Sequence, residues 1–278
     1  MLRLLNIEIH KLKNSRASIV LISTYFLLLT SIALIAAIKF DIGPIQFHLA
    51  EQGIFNFPYI WHFNTFIAAF FKLFLLLVIV SMVANEYSNK TLKQNLIDGL
   101  SKKEFILSKF YTVVLFAFIS TIFVFVVSMV LGLIYSDFNE PSIIFSDLEY
   151  LLAYFIKLVG FFSFGLFMGL LIKRSAFAVG AMLIWFIFET ISYNVLKYNL
   201  FKGTNLADNI YQFAPFRSMW NLIDEPFSRL NAVKTLASQI GENIEYDYGV
   251  HWYQIAIVMG WIAIYIYGSY FILKKRDL

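Results

Sequence analysis

No cysteine occurs in the sequence, which removes disulfide bridges and cysteine-ligated metals from every reading of it. Charge is scarce as well: 14% of the 278 residues are charged against 60% hydrophobic, and the mean hydropathy is +0.72. A soluble domain of this length needs far more charge to cover its surface. Strand-like alternation in segments of about ten residues, the mark of an outer-membrane barrel, is missing. So is a G-x-x-x-x-G-K-[ST] phosphate loop, and no polar stretch is long enough to hold a nucleotide-binding domain. H-E-x-x-H and G-x-S-x-G are absent, and His10, His48, His62 and His251 are scattered. Neither catalytic nor metal-binding residues can therefore be assigned, and no cofactor is expected on the chain itself. Nor is nucleic acid an expected partner, because the basic residues flank apolar runs instead of forming one soluble basic face.

What is present is a series of apolar runs of roughly twenty residues, the length that crosses about 30 Å of hydrocarbon as helix. Backbone groups in lipid must be satisfied within their own segment, so each run is expected to be helical. The expected fold is all-α and polytopic, with six spans near Ala17–Ile38, Asn64–Ala84, Ile106–Tyr135, Leu148–Ile172, Phe177–Leu196 and Trp252–Leu273. The first is too long for a typical signal-peptide core and reads as an uncleaved span. The third exceeds the bilayer requirement and must tilt or project into water. Lysine and arginine gather at Arg3–Arg16, Lys90–Lys109, Lys173–Arg174 and Lys274–Arg276, while the alternate loops hold most of the acidic residues. By the positive-inside rule both termini are expected in the cytoplasm, in a multi-pass plasma (bacterial inner) membrane protein.

Residues 1–16 come before the first run, with Leu2, Leu5, Ile9 and Leu12 on one helical side and Arg3, Asn6, His10 and Lys13 on another. This predicts an amphipathic helix in the headgroup plane, its cations toward anionic membrane lipid. Residues 17–278 then form the six-span domain. Its long external segment, about 197–250, carries helix punctuation in DEPFSRLNAVKTLASQIG: Asp224 or Glu225 as cap, Pro226 at the first position and Gly241 past the end. Such a helix either covers a substrate path or packs on the outer ends of the spans.

The polar insert NEYSNKTLKQNLIDGLSKKEFILSKF, residues 85–110, is the most informative stretch. Thr91 opens a short amphipathic segment containing Leu92, Leu96 and Ile97, which Asp98-Gly99 stops. Ser101-Lys102-Lys103-Glu104 then has the spacing of an S-x-x-E capping box. Helix, sharp break and capped helix is more shape than a connector requires, so a partner is expected to dock on residues 85–105. Leu100, between the break and the cap, is expected to project into that partner's cleft.

Glu86-Tyr-Ser-Asn-Lys-Thr-Leu, followed by Leu96, Gly99, Ser101-Lys-Lys-Glu-Phe and Lys109, resembles the signature loop of the ABC type-2 permease family. The chain departs from many members in having Asp98-Gly99 where they place proline. The resemblance is sharp only around 84–110, but the amphipathic start, six spans and basic ending ILKKRDL match in architecture. It implies a permease that lacks an ATPase site of its own and works as a homodimer or related heterodimer with two copies of a cytoplasmic ATPase, which bind and hydrolyse ATP with magnesium. It also implies that the insert is a coupling helix and that the complex exports a substrate; an accessory protein outside the membrane is a further expected partner.

Lys72, Lys157 and Glu189 fall inside predicted spans, roughly 10–15 Å below the outer surface at 1.5 Å per residue. Buried charge is costly unless paired or hydrated. The three residues therefore read either as the wall of a polar cavity or as structural groups, with Lys157–Glu189 or Lys72–Glu189 a candidate ion pair. Gly165-Leu-Phe-Met-Gly169, extended by Gly160, is a close-packing motif for a neighbouring helix or a second subunit. Two other function classes remain. One is an intramembrane enzyme acting on lipid or peptide through Glu189, which lacks a second convergent catalytic group. The other is an ion-coupled transporter using all three charges, which predicts internal repeats that the sequence does not display.

Overall fold

The computed structural model describes residues 2–35, 39–42, 45–48, 53–230, 233 and 247–276. Among them six helical segments are long and apolar enough to cross a membrane, as the runs predict. After α1 (Leu2–Lys13) come α2 (Arg16–Ile35) and a two-stranded antiparallel hairpin, β1 (Lys39–Ile42) with β2 (Ile45–His48), pairing Phe40 with Phe47. The hairpin is the one departure from an all-helical chain among these residues. The second span is longer than its apolar run: α3 (Tyr59–Ala68) and α4 (Lys72–Ser88) are joined through a 3-10 turn at Ala69–Phe71. α5 (Thr91–Ile97) precedes α6 (Lys102–Tyr135), whose 34 residues span about 50 Å as helix. The short α7 (Pro141–Ile144) leads to α8 (Glu149–Ile172) and α9 (Ser175–Val195). A π turn (Leu196–Leu200), α10 (Leu206–Tyr211) and α11 (Pro215–Trp220) follow, and α12 (Trp252–Lys275) ends the fold.

α8 is the most buried span and forms the axis of the bundle, with α4, α6, α9 and α12 around it. Its small residues explain the close approach. A Cβ placed on Gly165 would lie 2.3 Å from Leu76 of α4, and one on Gly169 would lie 3.4 Å from Val83 of the same helix. Gly160 faces Val258 of α12 in the same way. The G-x-x-x-G stripe is thus used within the subunit. α2 leans on this core through Tyr25, Leu29 and Ile32, one helical face, and the Tyr25 hydroxyl meets that of Tyr154 at 3.1 Å.

Both termini reach the same end of the bundle. Arg276 donates to the carbonyls of Leu170 and Leu171 at the end of α8. Lys102, at the start of α6, donates to those of Lys274 and Arg276. At the opposite end, the stretch read from sequence as a helix beginning near Pro226 is a 3-10 turn, Phe227–Arg229. Glu225 accepts from the amides of Phe227 and Ser228, the capping role expected of Asp224 or Glu225. Most of the remainder of that stretch, including Gly241, lies outside the described residues.

Replacing Gly165 by leucine forces a branched side chain against Leu76 and Val80 and is expected to cost about 1–3 kcal/mol. The melting temperature in detergent should fall accordingly. Gly180→Leu, where no atom lies within 4 Å of an added Cβ, is expected to leave it nearly unchanged.

Candidate docking surface and intramembrane cavity

At the end holding both termini, the polar insert folds as its pattern predicts. Lys90 turns the chain out of α4 in the left-handed conformation, with φ 56°. α5 then runs to Asp98, and Gly99, with φ 97°, terminates it. The Gly99 amide donates to the Leu96 carbonyl at 3.2 Å and the Leu100 amide to the Asn95 carbonyl at 3.0 Å, the two reversed bonds of a Schellman stop. Ser101 begins α6 with the capping box complete. Its hydroxyl accepts from the Glu104 amide at 3.1 Å, and Glu104 Oε2 accepts from the Ser101 amide at 2.9 Å.

The Schellman turn folds Leu100 back so that it is half-buried against the core, and with Gly99 it lines a cleft shared with Leu4, Ile7 and Lys11 of α1. Leu100, expected to project into a partner's cleft, here lines a cleft of this chain instead of standing out on the outward face of α5. Leu92 is buried and Leu96 is half-buried on the inner face of α5. The outward face consists of Lys93, Gln94, Ile97 and Asp98, all exposed, with Lys103 exposed on the following turn. Ile97 is 70% exposed, an apolar side chain ringed by polar ones.

Beneath this surface lies a buried ion cluster. Lys109 of α6 is fully buried, and its Nζ donates to Glu8 Oε2 at 2.6 Å and to Glu86 Oε1 at 2.7 Å. Lys11 donates to the same Glu86 oxygen at 2.7 Å. The other Glu86 oxygen accepts from Thr91 at 2.6 Å and from Asn95 at 3.1 Å. One carboxylate therefore binds α1, α4, α5 and α6 together. Glu86 thus pairs with a basic residue of the insert itself, Lys109, and with Thr91 holds the base of the insert. Glu8 is the member that sequence reasoning missed. Leu4, Glu8 and Leu12 make the buried seam of α1, at spacing four, whereas Leu5 and Ile9 of the expected apolar side are half-buried beside it. The signal was available: Glu8 lies in register with Leu4 and Leu12.

The intramembrane charges separate. Glu189 accepts from the amides of Arg217 at 2.6 Å and Phe216 at 3.3 Å. It thereby caps α11, whose first N–H groups have no partner within that helix. The expected pair with Lys157 or Lys72 does not form, because α11 folds back among α8, α9 and α12 and supplies these donors. Lys72 and Lys157 instead line one cavity of about 230 Å³ between α4, α8, α9 and α11. Next to it, Arg217 lies 4.1 Å from the Tyr193 ring centroid, and Tyr193 donates to Asp208 at 2.5 Å. Asp208 also receives Lys197 at 3.2 Å. Partial burial opposes the Asp208 charge, but these two hydrogen bonds hold its carboxyl below the usual range.

Lys109→Met would remove the close partner of buried Glu8 and one of the partners of Glu86, and is expected to cost about 3–5 kcal/mol. Adding Glu8→Gln should restore part of that loss, because Glu86 keeps Lys11, Thr91 and Asn95. Thermal unfolding of the single and double variants in detergent measures the difference; strictly additive losses would show that the pair is not coupled.

The family model of the ABC-2 family transporter proteins matches residues 5–278, nearly the whole chain. Comparison with curated proteins gives no match.

Proposed function

The chain belongs to the ABC-2 transporter family, and from that premise we propose that it is the permease of an ATP-driven exporter whose separate ATPase docks on α5. Permeases of this family are membrane subunits that dimerise and work with a cytoplasmic ATPase. The observation that carries the proposal is Ile97, an apolar side chain held out among Lys93, Gln94 and Asp98 on a helix with a rigid base. An apolar tooth on a polar surface is suited to a partner's pocket. The base explains why such contact is productive. Glu86 grips Thr91 and Asn95 of α5 on one side and Lys109 of α6 on the other. Displacement of α5 by ATPase closure therefore pulls on the second and third spans and on α1, altering access between two permease subunits. ATP and magnesium belong to the ATPase; this chain supplies the path. In this reading both termini and residues 85–105 are cytoplasmic, and residues 197–250 face outward.

Two measurements test this. Ile97→Asp is expected to leave the permease inserted and folded but to abolish capture of the ATPase subunit, since a carboxylate would be desolvated in an apolar cleft at a cost of several kcal/mol. Ile97→Leu should bind nearly as wild type, and Ser101→Ala should lose only about 1 kcal/mol of helix capping. Capture and permease-stimulated ATP hydrolysis at wild-type levels with Ile97→Asp would remove α5 as the docking element. Leu100→Asp is the poorer test, because it strikes internal packing as well. For orientation, the absence of native cysteine lets a single introduced thiol report cleanly. Thr204→Cys, at an exposed outer position, should react with an impermeant maleimide on intact cells, while Lys103→Cys should react only after lysis. The opposite pattern would invert the topology.

A further inference from the structure

The cavity between α4, α8, α9 and α11 holds two lysines and no acid. Lys157 is buried, and its one hydrogen bond among the described residues is a long one, 3.4 Å to the Trp220 carbonyl. Lys72 makes no hydrogen bond among the described residues. Its ammonium lies 4.8 Å from the Phe161 ring centroid, and that of Lys157 lies 5.7 Å from the Trp220 centroid. No carboxylate approaches either lysine within 4 Å among the described residues. Asp224 acts on Lys157 only from further away, and burial pushes its own carboxyl above the usual range, which weakens it as a counter-charge. Glu189, the carboxylate that the sequence offered as a pair for either lysine, is committed to α11.

An ammonium has three donors, and one buried without an anion is costly in a membrane. Snorkelling does not relieve Lys157, which is 3% exposed. Cation–π contacts with Phe161 and Trp220 soften the cost without neutralising charge. Protonated together on one wall, the two would also repel each other. A bound anion with donors on both sides would remove the repulsion and fill the open hydrogen bonds with charge-assisted ones.

The walls define the rest of the ligand. Phe161, Met182, Met219 and Trp220 make them apolar. At the opening, Phe70, Leu73 and Leu183 are 47–52% exposed on the outer, apolar surface of the bundle. A volume of about 230 Å³ is below the roughly 300 Å³ at which enclosed sites for whole drug-sized ligands begin. It takes a headgroup, with the chain lying outside. A phosphomonoester carries close to two negative charges at neutral pH, matching two lysines.

We propose that this cavity binds the phosphomonoester headgroup of a membrane amphiphile between Lys72 and Lys157, with its hydrocarbon chain lying over Phe70, Leu73 and Leu183. The ligand is then the class of cargo, or of cargo anchor, that the permease moves; this last step rests on the transport reading, whereas the binding itself does not.

The test uses the full chain purified in detergent, without ATPase or nucleotide, and native mass spectrometry with equimolar phosphatidic acid and phosphatidylcholine. Wild type is expected to retain phosphatidic acid about tenfold over phosphatidylcholine, and Lys72→Met or Lys157→Met to lose about tenfold of that preference, the worth of one charge-assisted hydrogen bond. Lys197→Met, at a surface cation outside the cavity, should change nothing. Should Lys157→Met not fold, the half-buried Lys72 carries the comparison. Equal retention of both lipids by wild type, or an undiminished preference in Lys72→Met, overturns the proposal. Displacement of phosphatidic acid by an equal concentration of inorganic phosphate would overturn the amphiphile in favour of a free anion. Ile97→Asp should keep the lipid preference while losing the ATPase, so failure of either reading is visible without the other.

Discussion

Lys109 is a fully buried cation near one end of the longest span, and the fold around it is arranged to satisfy that charge. Two carboxylates reach it from different directions, Glu8 from α1 and Glu86 from the end of the second span, at 2.6 and 2.7 Å. Lys11 balances the second carboxylate, so the cluster of two acids and two lysines is neutral as a group. Exchange of such a cluster for well-packed apolar side chains often costs little stability, whereas loss of one member costs a great deal. Its value here is positional. Apolar packing tolerates sliding by a fraction of a turn, but Glu86 can satisfy Lys109, Lys11, Thr91 and Asn95 together in only a narrow set of placements. The start of α6, the end of α4, α1 and α5 are fixed relative to one another by that requirement.

The same logic applies at the other end with the opposite outcome. α11 brings unpartnered N–H groups into a largely apolar region, and Glu189 reaches them from α9. That contact holds the chain after α10 inside the half of the bundle away from the termini, where Phe216, Met219 and Trp220 roof the cavity. A carboxylate spent on backbone amides cannot also neutralise lysines. The unpaired state of Lys72 and Lys157 is therefore a consequence of how the roof is fastened, and each end of the molecule shows where the available acids have gone.

Much of this was legible in the sequence, and the exceptions have physical causes. Run length locates spans because hydrocarbon thickness fixes helix length. The capping box and the Asp98-Gly99 stop were legible because both are local backbone chemistry. The extension of the second span back to Tyr59 was not, because His62 beside Trp61 looks interfacial and only its tertiary partners explain its burial. The hairpin at Lys39–His48 was signalled by alternating residues on either side of a Gly-Pro pair and overlooked beside the apolar runs. Glu8 was placed on neither side of the amphipathic helix, since its partner Lys109 lies 101 residues away. Where Leu100 points was not legible, because the direction of a side chain after a Schellman stop depends on the reversal itself. Glu189 was expected to meet a lysine because side-chain charges are visible in a sequence, whereas the free N–H groups of a six-residue helix are not.

α5 is short, seven residues, and an isolated helix of that length is unstable in water. It persists because Glu86 holds its first turns, Leu92 is buried and the Schellman bonds close its end. Its stability is thus borrowed from α4 and α6, and a force on α5 cannot be absorbed by local unfolding without first breaking the contacts of Glu86. Those contacts include the bond to Lys109, which joins the second and third spans, and the third span packs on α8. α8 in turn carries Lys157 and the wall of the cavity. A contiguous path of buried contacts therefore connects the exposed Ile97 to the two lysines through rigid helices. A strong base at one end and an unsatisfied cavity at the other place the least constrained charges of the membrane region where movement of the spans would alter their surroundings.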